Sequence, residues 1–230
     1  MLNIFIGYDT RETIAWSVLA QSIIQRATVP VSITPIMLSQ LDDIFSRDRN
    51  ELQSTDFSFS RFLTPFLSDY KGWSLFLDCD MLVLEDITTL FDYVDEEYAV
   101  MCVKHNHVPE ETVKFLGAKQ TKYEKKNWSS VMLMNNEKCK ALTPEYVSTA
   151  SGLDLHQFKW LEDDTLIGSL PPEWNHLVGY DDPNAIVNLV HYTIGGPYFE
   201  EYEDTDYADE WYEELKSMFP KDLLPKDDEE

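Results

Sequence analysis

The sequence predicts an α/β protein built as one domain. A short apolar run, LNIFI (2–6), ends at Gly7 and reads as a buried strand. The stretch that follows, residues 8–27, spaces Ile14, Val18, Ser22 and Ile23 near a helical period. VSITPIML (31–38) then reads as a second strand, so the chain opens strand, helix, strand. With 230 residues, 43% hydrophobic and 13% aromatic, the chain is long and apolar enough for a sizeable core.

The remaining elements follow from local pattern. Asp9 and Glu12 stand at capping-box spacing before the first helix. Residues 39–56 are polar and without period. FSFSRFLTPFLSDY (57–70) is expected to be a helix with Phe59, Phe62, Phe66 and Tyr70 on one side, bent or weakened by Pro65. SLFLD (74–78) predicts a strand, 88–93 a short helix, YAVMCV (98–103) a strand, and 104–128 a long functional loop. SSVMLMN (129–135) predicts a strand, and PEYVSTA (144–150) and EDDTLIGSL (162–170) predict helices. IVNLVHY (186–192) is a late strand closed by a TIGGP turn. YADEWYEELKSMF (207–219) predicts an amphipathic helix packed on the body, and PKDDEE (225–230) a frayed end.

Charge narrows the function. Eighteen basic and 42 acidic residues give a net charge of −24. Residues 200–230 contribute −11 of it, from 14 acidic and 3 basic residues. Such a chain repels nucleic acid and anionic membranes. It binds phosphates only through a local basic cluster or a metal. Three cysteines, Cys79, Cys102 and Cys139, fit neither a disulfide framework nor a zinc motif. No stretch reads as a signal sequence or a membrane span, so a cytoplasmic protein is expected.

Five motifs carry candidate chemistry. In FLDCDM (76–81), Asp78 and Asp80 end an apolar run. Strand residues two apart point to one side, so the carboxylates repel unless a cation compensates them. Hard divalent ions take such oxygens together with substrate phosphates; the spacing also suits a solvated turn. VHYTIGGPYF (190–199) offers His191 as a third ligand, and Gly195 and Gly196 permit close backbone approach. GYDTRE (7–12) places Tyr8 and Asp9 where an α/β sheet binds nucleotides, although helix capping alone explains the pattern. Lysines cluster between residues 104 and 126, where Lys104 and Lys126 could face phosphate or simply water. WLEDD (160–164) could hold sugar hydroxyls or merely start a helix.

In this order the motifs resemble the glycosyltransferase family 8-like enzymes that include glycogenin, over roughly residues 2–199. IFIGYD looks like the first strand and its nucleotide-contacting tip, and FSFSRFLTPFL like the helix carrying an arginine near the donor, here Arg61. GWSLFLDCDMLVLEDI looks like the DxD segment. NWSSVMLMN resembles the strand ending in asparagine, and WLEDDTLIG with PPEWN the acidic segment. VHYTIGGP resembles the closing histidine motif. The details GYDxRE, KNWSSVML and HYTxGGP are shared with small bacterial and phage enzymes.

The resemblance implies a GT-A fold, a Rossmann-like mixed sheet flanked by helices, over 1–199, with residues 200–230 as an acidic helical extension. It implies transfer of a sugar from a nucleotide sugar, a UDP-sugar first of all, to a hydroxyl on a carbohydrate or glycoconjugate, with retention. Mn²⁺ or Mg²⁺ would be held by Asp78, Asp80 and His191. Tyr8, Asp9 and Arg61 would contact the donor, with Gly195 and Gly196 beside it. Glu162 and Asp163 would lie near the anomeric carbon, and Trp174 and Asn175 would help shape the acceptor site. The family's Gly-x-x-Lys-Pro-Trp is replaced by Gly195-Gly196-Pro197-Tyr198, so its diphosphate contact passes to Lys104 or Lys126. A haloacid-dehalogenase-type phosphatase using the same DxD, or a non-catalytic nucleotide-sugar binding module, are the alternatives.

Overall fold

The computed structural model describes residues 1–49, 53–106 and 123–220. The predicted loop residues 107–122 and the predicted frayed end at 225–230 lie outside them. In chain order the elements are β1 (Leu2–Gly7), α1 (Thr13–Arg26), β2 (Val31–Ile36), α2 (Thr64–Leu67), β3 (Trp73–Leu77), β4 (Met81–Val83) and β5 (Val100–Cys102). There follow β6 (Val131–Asn135), α3 (Pro144–Thr149), α4 (Gly152–His156), β7 (Ile167–Ser169), β8 (His176–Leu177), β9 (Leu189–His191) and α5 (Ala208–Ser217).

Among the described residues six strands form the main sheet, in the order β2-β1-β3-β6-β5-β7. Only β6 runs against the others. The central strands are apolar on both faces: Ile4, Phe5 and Ile6 of β1, Leu75 to Leu77 of β3, and Val131 to Met134 of β6 are all buried. Continuous apolar runs of this kind belong to sheets covered on both sides. The edge strand β2 carries Pro35 opposite Ile6, where a missing N–H is tolerated. A smaller sheet, β4-β9-β8, begins just past the end of β3.

Helix α1 buries Ala15, Val18, Leu19, Ala20, Ser22 and Ile23, while Ile14 faces outward. The predicted capping box does not form. Glu12 is the cap residue but its carboxylate accepts from the Tyr198 hydroxyl, and that of Asp9 is taken by Arg11 and the Asp56 N–H. Helix α5 docks on the body by burying Trp211 with Val18, Leu82 and Val190, and Glu214 pairs with Arg26 at 2.6 Å.

Two predicted helices are corrected. Residues 57–70 form a 3-10 turn at Ser60–Leu63 and the single turn α2, since Pro65 lacks the N–H a longer helix needs. Residues 162–170 form a 3-10 turn at Asp164–Leu166 and then β7, which pairs with β5.

Candidate active site

The chain leaves the main sheet at Leu77, bends through Asp78-Cys79-Asp80 and enters the small sheet at Met81. The two carboxylates therefore converge through a bend between two sheets, not through the pleat of one strand. The bend is pinned from both sides: Asp78 N–H donates to the Ser130 carbonyl (3.0 Å), and Tyr192 N–H to the Asp80 carbonyl (2.9 Å). Cys79 is buried beneath it. The antiparallel register of β4 and β9 sets His191 opposite Met81 and so beside Asp80. One ligand atom each of Asp78, Asp80 and His191 lies within 4.8 Å of the others.

The imidazole is oriented for ligation. His191 Nδ1 lies 2.9 Å from Asn175 Oδ1, while the Asn175 amide nitrogen donates to Ser130 Oγ at 2.9 Å. An amide oxygen only accepts, so Nδ1 carries a proton, and Nε2, 3.6 Å from Asp80, is the ring nitrogen left to ligate an ion. Asn175 is completely buried and Trp174 lies in the core, so they support the site from behind rather than shape an acceptor surface. Two carboxylates and an imidazole suit Mn²⁺ or Mg²⁺. Replacing Asn175 with alanine is expected to weaken Mn²⁺ binding by about 10- to 100-fold, measured by titration calorimetry, because the ring loses its orienting partner.

Arg61 balances part of this charge. Its Nη1 lies 2.6 Å from Asp78 Oδ1 and donates to the Ser129 carbonyl. The guanidinium sits 5.2 Å from the ring centres of Phe57 and Phe76. Phe57 reaches there because Gly7 has no side chain: a Cβ would fall 2.2 Å from its ring.

Beside Asp78 opens a cavity of about 430 Å³. Arg47, Arg61 and Lys126 line it, with Asp78 as its one lining carboxylate among the described residues. His156 forms part of the wall and shares a 2.7 Å hydrogen bond with Ser129 Oγ. Burial, with Arg61 and Lys126 nearby, pushes this imidazole well below its usual range, so it is neutral at pH 7.

Behind Asp80 lies a third carboxylate. Glu12 is buried and accepts a 2.8 Å hydrogen bond from the Tyr198 hydroxyl. Burial, and then the charge of Asp80, pushes its pKa up to about 8. The folded protein thus holds this proton up to about pH 8, whereas an unfolded chain releases it near the ordinary carboxylate value. Stability of the metal-free protein falls as pH rises through that window. Glu12→Gln, which keeps the acceptor for Tyr198, is expected to gain a few kcal/mol over wild type at pH 8.5 and little at pH 4.5, read from urea unfolding.

The other predicted residues scatter. Asp9 is completely buried; burial opposes its ionisation, but hydrogen bonds from Arg11 and the Asp56 N–H outweigh this and hold its pKa low. Tyr8 is half-buried and bonds Thr13. Lys104 donates to the Ile167 carbonyl and does not line the cavity, whereas Lys126 does. Gly195 and Gly196 make room for the Tyr202 and Tyr198 rings, each 2.4 Å from where a Cβ would stand. Glu162 and Asp163 are exposed and outside the cavity wall; Asp163 caps the next turn through Thr165 N–H. Sequence reasoning missed Arg47, Glu12 in its buried role and His156. An isolated arginine or histidine in a polar stretch carries no local signal of what it will face.

No protein-family model matches the chain. Protein CDI of Arabidopsis thaliana is 50% identical over 223 residues, which is 93% of this chain and 86% of that protein. The chain belongs to the CDI family. This CDI relative is a plant protein, so the likeness is not confined to small bacterial and phage enzymes.

Among solved structures, the apo bifunctional glycosyltransferase WbbM superposes with a TM-score of 0.67 at 17% identity, over 93% of this chain and 49% of WbbM. GlyE of Streptococcus pneumoniae TIGR4 gives 0.60 at 16%, over 93% of this chain and 60% of GlyE. The galactosyltransferase LgtC, solved with donor and acceptor sugar analogues, gives 0.56 at 14%, over 96% and 98%. The chain thus spans about half of WbbM and nearly all of LgtC. Together with the mixed, mostly parallel sheet, these likenesses establish the GT-A fold of glycosyltransferases for this CDI-family chain. No helix among the described residues is long and apolar enough to cross a membrane.

Proposed function

We propose that the chain is a metal-dependent glycosyltransferase that moves a sugar from a nucleotide sugar, in the first place a UDP-sugar, to a hydroxyl of a carbohydrate or glycoconjugate, with retention. The observation that carries this is the convergence of Asp78, Asp80 and His191, with the imidazole oriented by Asn175, in a glycosyltransferase fold. Mn²⁺ or Mg²⁺ at these three residues would supply positive charge for the leaving diphosphate. Arg61 holds Asp78 in place, and Lys126 brings a second cation to the same cavity wall. Preorganised charge of this kind favours departure of an anion, because it needs no rearrangement as the bond breaks.

Tyr8 stands at the end of β1 for contact with the base or ribose. Asp9 acts indirectly, by fixing Arg11 and the Asp56 backbone. Lys104, Gly195 and Gly196 belong to the supporting frame. Glu162 and Asp163, expected near the anomeric carbon, are exposed and outside the cavity wall, so no catalytic role is proposed for them. The three cysteines are free and buried, in keeping with a reducing, cytoplasmic setting.

A phosphatase reading of the DxD needs an open first aspartate as nucleophile, and the Arg61 pairing of Asp78 argues against it. The test is release of free nucleotide from a panel of nucleotide sugars, with Mn²⁺ and with EDTA. Metal-dependent release from a UDP-sugar supports the proposal. Hydrolysis of a simple phosphomonoester with no activity on any nucleotide sugar overturns it.

A further inference from the structure

The cavity beside Asp78 has more positive charge than the Asp78–Arg61 pair accounts for. Arg61 is spoken for by Asp78 at 2.6 Å. Arg47 is different. Its guanidinium lies 3.9 Å from the centre of the Phe59 ring, and its Nη1 donates to the Val147 carbonyl at 3.0 Å. These two contacts fix the group, and neither is a counter-charge. Among the described residues no carboxylate pairs with it. Burial pushes its pKa down without any acid drawing it back up. A guanidinium fixed on a cavity wall by a ring face and a carbonyl, with no carboxylate on it among the described residues, points to a ligand that supplies the partner.

His156 reports the same field from a second position. This partly buried imidazole shares the cavity with Arg47, and desolvation together with the charges of Arg61, Lys126 and Arg47 disfavours its protonation. Neutral His156 with Ser129 gives hydroxyl-scale hydrogen bonding, as a sugar ring requires, while the arginine calls for an anion.

A nucleotide sugar places its phosphates at the Asp78–Asp80–His191 cluster and its sugar next to them. Resting on that reading, we infer that the cavity takes an acidic glycosyl group, a hexuronate whose carboxylate is received by Arg47. A planar guanidinium held by an aromatic face is well matched to a carboxylate, which it engages through two parallel N–H donors. No neutral hexose supplies that charge.

The test uses the full chain with Mn²⁺ in titration calorimetry. The probes are UDP, UDP-glucose, UDP-galactose, UDP-glucuronate and UDP-galacturonate, on wild type, Arg47→Gln and Arg47→Lys. One uronate is expected to bind wild type about tenfold or more tighter than the matching neutral hexose. Arg47→Gln is expected to abolish that preference and to leave UDP itself within about twofold. Arg47→Lys is expected to keep part of it.

Equal binding of uronate and hexose on wild type overturns the inference without any variant. So does an Arg47→Gln loss that is as large for bare UDP, since Arg47 would then read the diphosphate. Failure of UDP to bind at all with Mn²⁺ is a separate result: it removes the nucleotide-sugar reading and the inference with it.

Discussion

Asp80→Asn is expected to weaken Mn²⁺ binding by about 100-fold or more and to remove nucleotide release from the donor sugar. Loss of a supporting partner behind a ligand already costs about 10- to 100-fold, so loss of a ligand costs at least as much. The geometry makes compensation difficult. Asp80 sits between His191 Nε2, 3.6 Å away, and the bend whose carbonyl is tied to Tyr192. The same change has an opposite effect on the metal-free fold. Asp80 is the charge that, after burial, raises the pKa of Glu12. Its neutralisation lets Glu12 ionise at lower cost, so metal-free Asp80→Asn is expected to be more stable than wild type at pH 8. Calorimetry with Mn²⁺ and urea unfolding with EDTA read the two effects separately. A residue kept for folding alone would not show this opposition.

Arg61→Ala is expected to destabilise the metal-free protein by about 3–5 kcal/mol, the usual cost of removing one partner of a buried ion pair. The side chains of Arg61 and Asp78 are 7% and 14% exposed, so water screens their 2.6 Å contact poorly. Arg61 also caps the Ser129 carbonyl, which is lost as well. The double variant with Asp78→Asn is expected to recover part of the loss, with a coupling of about 1 kcal/mol or more in a double-mutant cycle. Mn²⁺ should rescue the single variant more than the double, since the ion replaces the missing positive charge only where Asp78 remains. Additive losses and no metal rescue would mean that Arg61 is a packing residue.

The strands of the main sheet were legible because burial on both faces writes itself as continuous apolar runs, as in LNIFI and WSLFL. The cluster of Asp78, Asp80 and His191 was legible from residue type and motif order, although the bend that joins them was not. The short elements misled. Three residues of β7 cannot show a period, and FSFSRFL looks helical until Pro65 is weighed against tertiary packing. Tertiary placement hid the rest. Glu12 looked like a capping residue because its partner, Tyr198, lies far along the chain. Asn175 looked like an acceptor contact, since nothing local reveals that its amide faces His191. Arg47 and His156 come from separate segments and acquire meaning from the cavity they share.

Asp78, Asp80 and His191 are proposed to hold a divalent ion that receives a nucleotide diphosphate. Titration calorimetry of UDP into wild type and Asp80→Asn, each with Mn²⁺ and with EDTA, tests it most directly. Binding to wild type is expected to require Mn²⁺ and to disappear in Asp80→Asn. UDP binding of equal strength in EDTA, or undiminished in Asp80→Asn, would contradict it.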